Sequence, residues 1–304
     1  MASSGLNTIA ISGASGLVGT QLTKLLTSSG STVRPMLRKG NTGIPNSILW
    51  DPAKGVVDPQ QLNGVDTIIH LAGENIAGGR WTTAIKERIR SSRVDGTRNL
   101  VQSLAKAPTQ PRTLICASAI GFYGERGDEI MTESSPAGTG FLADVCKAWE
   151  HEAMAAAAFG IRVVCIRIGV VMSPKGGALA KMLLPFKLGL GGVVGSGKQY
   201  WSWVGLNDLV RIIAFCAKTE AVHGPVNAVS PNALTNYDFT KTVGSVLHRP
   251  TLFPLPAFAA RLVLGEMADD LLLSSIRVAP KALQQQGFQF EQPDLKSCLE
   301  HELS

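Results

Sequence analysis

Strand-like and helix-like stretches alternate through residue 175. They predict an α/β fold, a doubly wound parallel sheet of the Rossmann type, with a small C-terminal lobe behind it. Two observations carry this. A β-rich apolar run (Ile9, Ala10, Ile11) ends in three glycines, Gly13, Gly16 and Gly19. A helical period then follows through Leu17, Val18, Leu22, Leu25 and Leu26. Downstream, further apolar strands recur with helices between them until the composition changes at Gly177.

The first strand, glycine turn and helix form the opening of a dinucleotide-binding βαβ unit. Gly13 allows the tight turn, Gly16 lets backbone N–H groups approach a pyrophosphate, and Gly19 lets helix and strand pack closely. The helix N-terminus offers donors and a partial positive charge to phosphate. Thr32 to Leu37 reads as the second strand. An NAD-specific unit places an acid near its end to bind the ribose hydroxyl. Here Arg38 and Lys39 stand there instead, and a guanidinium suits the 2′-phosphate of NADP.

Ile48 to Pro52 is a short third strand and turn, and Asp66 to Gly73 is the fourth strand. Its end, Leu71, Ala72 and Gly73, is small enough to pass over the cofactor, and His70 reads as a core or edge histidine. The next helix covers residues 82–105. Ile85, Ile89, Arg93, Gly96 and Leu100 share its buried stripe, so Arg93 needs a partner, either cofactor phosphate or a core carboxylate. Arg88 and Arg90 face away. Arg90 reads as solvated, and Arg88 remains within reach of the adenosine end. Thr113 to Ala119 is the fifth strand, residues 141–159 a helix, Ile161 to Ile168 the sixth strand, and 169–177 the loop after it.

Beyond Gly177 come an apolar stretch to Leu190, a glycine-rich segment over 188–198 and the aromatics Tyr200, Trp201 and Trp203, which together suit the frame of a small-molecule site. Asn207 and Asp208 open a helix to Ala217. Residues 250–300 hold several prolines and a helical segment over 262–273. The expected organisation is an NADP-binding core over 1–175, a substrate-loop segment returning to the core over 176–248, and a small C-terminal substrate lobe over 249–304.

The chain has 304 residues, is 45% hydrophobic and carries a net charge of +6. No basic run suggests a nucleic-acid arm, so the excess reads as a mild bias toward anionic ligands. None of the five cysteines sits in a CxxC pair, and the five histidines show no metal spacing. Reduced core cysteines, a first strand starting near residue 8 and no apolar run of spanning length give the expectation of a cytoplasmic protein without signal peptide, membrane segment or metal.

The residues resemble the extended and atypical short-chain dehydrogenase/reductase superfamily, and within it the NAD-dependent epimerase/dehydratase-like proteins of unassigned substrate. The matching pieces are residues 13–19, 71–76, Arg80-Trp81, 92–97, 118–124 and 181–192. A further piece from Gly265 onward is similar to that family's small C-terminal domain of unknown role. The resemblance implies NADP binding. It also implies that Ser118 stands for the catalytic serine and Lys147 for the lysine of the Tyr-x-x-x-Lys pair, which holds the nicotinamide ribose. The tyrosine position is Ala143, which carries no proton. Tyr123, close after Ser118, and Glu74, after the fourth strand, are the two substitutes. Arg93 stands where many relatives carry asparagine.

The expected catalytic set is Ser118, Tyr123 and Lys147. The expected cofactor set is Gly13, Ser15, Gly16, Leu17, Val18, Gly19, Leu37, Arg38, Lys39, Leu71, Ala72, Gly73, Arg88, Arg93, Lys147 and Val171. The expected function is redox or epimerase-type chemistry on a small molecule by reversible hydride transfer with NADP(H). The alternative is a non-catalytic NADP-binding regulatory protein. No nucleic-acid or membrane partner is expected, and a homodimer is left open.

Overall fold

The computed structural model describes residues 8–38, 44–56 and 58–304. Its centre is an eight-stranded sheet of β1 (Thr8–Ser12), β2 (Thr32–Leu37), β3 (Ile48–Asp51), β4 (Gly55–Val56), β5 (Thr67–His70), β6 (Thr113–Ala119), β7 (Arg162–Ile168) and β8 (Gly224–Ala228). The spatial order is β8-β7-β6-β5-β1-β2-β3-β4, and all neighbours pair in parallel except β3 with β4. The chain leaves β1 toward β2 on one side and later crosses to β5 on the other. The order therefore reverses at β1, and open α/β sheets take ligands in the crevice above such a reversal.

The helices are α1 (Leu17–Ser28), α2 (Thr83–Ala105), α3 (Phe141–Met154), α4 (Gly177–Lys187), α5 (Leu206–Lys218), α6 (Asn236–Leu247), α7 (Ala257–Leu264) and α8 (Leu295–Leu303). Strand alternation assigns the two faces of the sheet. Ile9, Ile11, Ile69, Ile115 and Val164 enter one core with Leu22 and Leu26 of α1 and Leu209, Ile212 and Ile213 of α5. Ala10, Ile68, Leu114, Cys116 and Val163 enter the other with Leu100 and Leu104 of α2 and Trp149 of α3. Both faces are covered, which is why these strands read as continuous apolar runs.

The structure departs from the sequence expectation at several elements. The helix expected over 141–159 ends at Met154. Its alanine-rich tail tightens into a 3₁₀ turn over 155–159, stopped by Gly160 at φ 75°. The helix expected over 262–273 is broken at Gly265, whose φ of 63° ends α7. A short turn over 266–268 and a π-helical turn over 269–273 follow it. Strand β8 was not expected, because Gly224 and Pro225 open it. It lies at the sheet edge, where a proline costs no ladder bond on the open side.

The C-terminal lobe is tied to the core by a two-residue parallel pairing, Arg277–Val278 with Ile130–Met131. The five cysteines are free and buried. Among the described residues, no helix is long and apolar enough to cross a membrane.

Candidate functional site

The turn after β1 is built by close approach. Gly13 has φ 73°, and a Cβ there would lie 3.0 Å from the Leu71 carbonyl carbon and the Ala72 nitrogen. A Cβ on Gly19 would lie 2.2 Å from the Gly13 oxygen, so α1 could not sit this near the turn with any side chain there. Gly16 donates its N–H to the Gly13 carbonyl at 3.0 Å and precedes the first helical residue. No side chain caps α1 and its first turn holds no acid. The N–H groups of Leu17, Val18 and Gly19 therefore face the crevice without a side-chain acceptor, with the helix dipole behind them. Ser15 is exposed on the crest of the turn.

Strand β5 closes the other wall. Leu71 donates to the Ser12 carbonyl at 3.1 Å, and Ala72 donates to Ser12 Oγ at 3.3 Å. Ser12 Oγ lies 2.6 Å from His70 Nδ1, and burial lowers that imidazole from 6.5 to about 4. This clasp fixes residues 71–73 beside the glycines.

Leu37 is buried at the end of β2 and Arg38 is exposed just beyond it, one strand from the glycine turn. Lys39 lies outside the described residues. Arg93 is half-buried. Its guanidinium donates to the carbonyls of Ile89 (3.1 Å) and Glu74 (3.0 Å), stacks on the Trp149 ring at 5.2 Å and lies beneath Gly73, where a Cβ would meet it at 3.2 Å. Burial lowers its pKa, and among the described residues no carboxylate pairs with it. The core-carboxylate alternative for Arg93 therefore has no partner, while an anionic ligand over Gly73 would have one. Arg88 points outward and makes an exposed 3.6 Å pair with Glu74. Val171, on a short strand over 170–172, packs with Leu17 at the rim of the same core.

Two of the three expected catalytic side chains, Ser118 and Tyr123, meet on one buried ion pair. Ser118, 3% exposed, donates its hydroxyl to Glu150 Oε1 at 2.6 Å. Glu150 in turn is held bidentate by Arg167, whose Nε and Nη2 each lie 2.8 Å from a carboxylate oxygen. Arg167 Nη1 donates to the Tyr123 hydroxyl at 2.9 Å. That hydroxyl offers its single proton to Asn227 Oδ1 at 2.7 Å, with the Thr132 carbonyl at 3.0 Å. Tyr123 is fully buried, and burial raises its phenol above the usual value against the pull of Arg167. Both hydroxyls thus serve an internal ion pair.

The Lys147 side chain is 44% exposed and pairs with Asp144 at 2.7 Å; four residues from Ala143 and three from Glu150, it lies on the same stripe of α3 as both. The preceding residue, about 100° round the helix, is buried. The Cys146 thiol is buried beside Ser118 and the Ala119 backbone, and burial pushes it up to about 11. The charge of the Arg93 guanidinium, on α2, pulls the Cys146 thiol back down in part. Sequence reasoning gave Glu150 and Arg167 no role. An arginine inside the apolar run of β7 was the signal, since such a cation requires a buried carboxylate.

A cleft of about 330 Å³ opens between the core and the C-terminal lobe. Gly121, Leu142 and Ala143 form its floor, so the position expected to hold a tyrosine does face it, but with alanine. Arg261, Asp269 and Asp270 form the opposite wall. Among the described residues no group of three His, Cys, Asp or Glu side chains is arranged to hold a metal ion.

The sheet order, the glycine turn and the cleft define a Rossmann protein built like the short-chain dehydrogenases/reductases. The chain belongs to the NAD dependent epimerase/dehydratase family, whose pattern spans residues 9–228, and residues 255–302 match a domain of unknown function, DUF1731. It is 42% identical over 291 residues to the epimerase family protein Mb2239 of Mycobacterium bovis, covering 96% of both chains. It is 36% identical to epimerase family protein YfhF of Bacillus subtilis, again over 96% of each. In three dimensions it is similar to the human epimerase family protein SDR39U1 (isoform 2), whose crystal structure contains NADPH. The TM-score is 0.87 at 32% identity, covering 97% of this chain and 98% of that one. It is also similar to a nucleoside-diphosphate sugar epimerase of Corynebacterium glutamicum, with TM-score 0.82 and 37% identity over 98% of this chain and 58% of that chain.

Proposed function

We propose that this protein binds NADP(H) and uses it for reversible hydride transfer with a small carbonyl or hydroxyl compound held in the cleft under the C-terminal lobe. The observation that carries the reading is the uncapped N-terminus of α1, packed against Gly13 so closely that Gly19 admits no side chain. It offers first-turn N–H groups to a pyrophosphate at the point where the strand order reverses. Arg38 at the end of β2 favours the 2′-phosphate of NADP, and Arg93 beneath Gly73 supplies positive charge farther along the crevice. The human relative's crystal structure with NADPH agrees with this choice of cofactor.

When bound, the cofactor supplies or accepts the hydride. The protein's own residues would hold its phosphates at the first turn of α1 and enclose the substrate between α3 and the lobe.

Titration should show NADPH binding at least about tenfold more tightly than NADH, the worth of one charge-assisted contact. Arg38→Ala should remove most of that preference. Equal affinities in the wild-type protein would refute the NADP assignment. A panel of carbonyl compounds, followed by NADPH absorbance, tests the chemistry. A second reading, an NADP-binding regulatory protein, is favoured by Ala143 at the tyrosine position. Tight NADPH binding with no oxidation across the panel would select it.

A further inference from the structure

Hydride transfer to a carbonyl needs a proton at the developing alkoxide, and α3 lines the cleft with Leu142 and Ala143, neither of which carries one. We propose that Asp270, on the π-helical turn of the C-terminal lobe, is the acid/base that exchanges this proton across the cleft. The assignment rests on the hydride-transfer reading above.

It follows from comparing the carboxyls that line the cleft, since the Thr139 and Ser274 hydroxyls there are poor acids at neutral pH. Tyr123 and Ser118 are enclosed with Arg167 and Glu150. Glu125 lines the cleft, but its carboxylate accepts the N–H groups of Gly127 at 2.9 Å and Ser275 at 2.5 Å. Asp269 lines it too, yet accepts Nε and Nη2 of Arg261, each at 2.9 Å. Asp270 lines the same cleft opposite Leu142 and Ala143, and among the described residues its carboxyl makes no hydrogen bond and no ion pair. A carboxyl left free at the wall of a cleft is available to a ligand. The π-helical turn over 269–273 is a feature often found where a helix serves a site.

The charges around Asp270 suit an acid. Burial and the charge of Glu266 hold its carboxyl above the ordinary carboxylate range, Lys86 pulls it back, and Asp269 adds to the rise. Lys86 is already matched by Glu266 at 2.6 Å, as Arg261 is by Asp269. In the reductive direction the carbonyl carbon gains a hydride from the reduced nicotinamide. The C=O π pair moves to oxygen and forms an O–H bond with the Asp270 proton, which leaves a carboxylate. Solvent re-protonates it, and oxidation runs the same steps backward.

The test uses the full chain loaded with cofactor. With aspartate carboxyls labelled with carbon-13, the resonance lost in Asp270→Asn should titrate above the ordinary value of about 3.9 in the NADP⁺ complex. Titration at or below that value overturns the assignment. With a carbonyl compound that the wild-type protein reduces, single-turnover oxidation of bound NADPH should slow by about 100-fold or more in Asp270→Asn. NADPH affinity should stay within twofold. The wild-type rate should fall as pH rises through the Asp270 midpoint, Asp270→Asn should lose that dependence, and Asp270→Glu should regain part of the rate. A rate in Asp270→Asn within threefold of wild type overturns the assignment and leaves hydride transfer standing. No oxidation by the wild-type protein with any compound removes hydride transfer, and this assignment with it.

Discussion

His70 makes the stability of the nucleotide crevice depend on pH. The ring is completely buried at the end of β5, edge-on to Trp50 at 5.5 Å. Nδ1 meets Ser12 Oγ at 2.6 Å, but Nε2 has no partner. A charged imidazole would carry a proton on Nε2 with nothing to receive it, so burial lowers the pKa from 6.5 to about 4. The unfolded chain therefore takes up a proton before the folded one does. The contribution is complete above about pH 6.5 and is lost as pH falls toward 4. Each pKa unit is worth about 1.4 kcal/mol, so the loss from this one group is about 2 kcal/mol between pH 7 and 5 and about 3 kcal/mol by pH 4. Urea unfolding of wild type and His70→Gln at pH 7, 6 and 5 isolates it, because the carboxylates are common to both. His70→Gln should be less stable at pH 7 and should lose about 2 kcal/mol less than wild type on going to pH 5. Parallel stability curves, or an imidazole resonance titrating near 6.5 in the folded protein, would refute the reasoning.

Arg93→Ala should weaken NADPH binding at least tenfold, about 1.4 kcal/mol, and should lower the melting temperature only modestly, since two backbone carbonyls and the Trp149 ring, rather than a carboxylate, hold the guanidinium. A lower melting temperature with unchanged affinity would make Arg93 structural. Tyr123→Phe should cost about 1–3 kcal/mol of stability, because it leaves Asn227 and Arg167 short of a buried partner. It should leave NADPH oxidation within twofold of wild type. Lost turnover at unchanged stability would return Tyr123 to the reacting atoms.

The glycine turn was legible because its demands are local. A positive φ at residue 13 and a 2.2 Å approach at residue 19 exclude every other side chain, so the residue type itself reports the geometry. The strands on either side of β1 were legible because burial on both faces makes them apolar throughout. Strand β8 was not, since Gly224 and Pro225 disguise a segment that only its place at the sheet edge makes a strand. Lys147 shows a different limit. Counting along the motif puts it on the stripe of α3 that carries Ala143 and Glu150, but its partner in the structure, Asp144, is not one the motif names. Asp270 left no mark in sequence. It reaches the cleft because Gly265 breaks a run that otherwise reads as one helix, and because the lobe folds back to pair at Ile130–Met131.

Arg167 explains why two hydroxyls that look chemically promising are not free. Its side chain is 4% exposed, and its guanidinium has five donors that burial obliges it to satisfy. One carboxylate, Glu150, takes two of them, and a third goes to Tyr123. The carboxylate has acceptor capacity left over, and Ser118, directly beside Arg167 across the β6–β7 register, fills it. The strong charge-assisted bonds in this set run to and from the ion pair. Drawing Ser118 or Tyr123 toward a substrate would leave a buried charge short of a partner, which costs more than one hydroxyl returns. One inward-facing cation on β7 thus commits two residues 49 and 44 positions away in the chain, and neither hydroxyl is free to serve chemistry in the cleft.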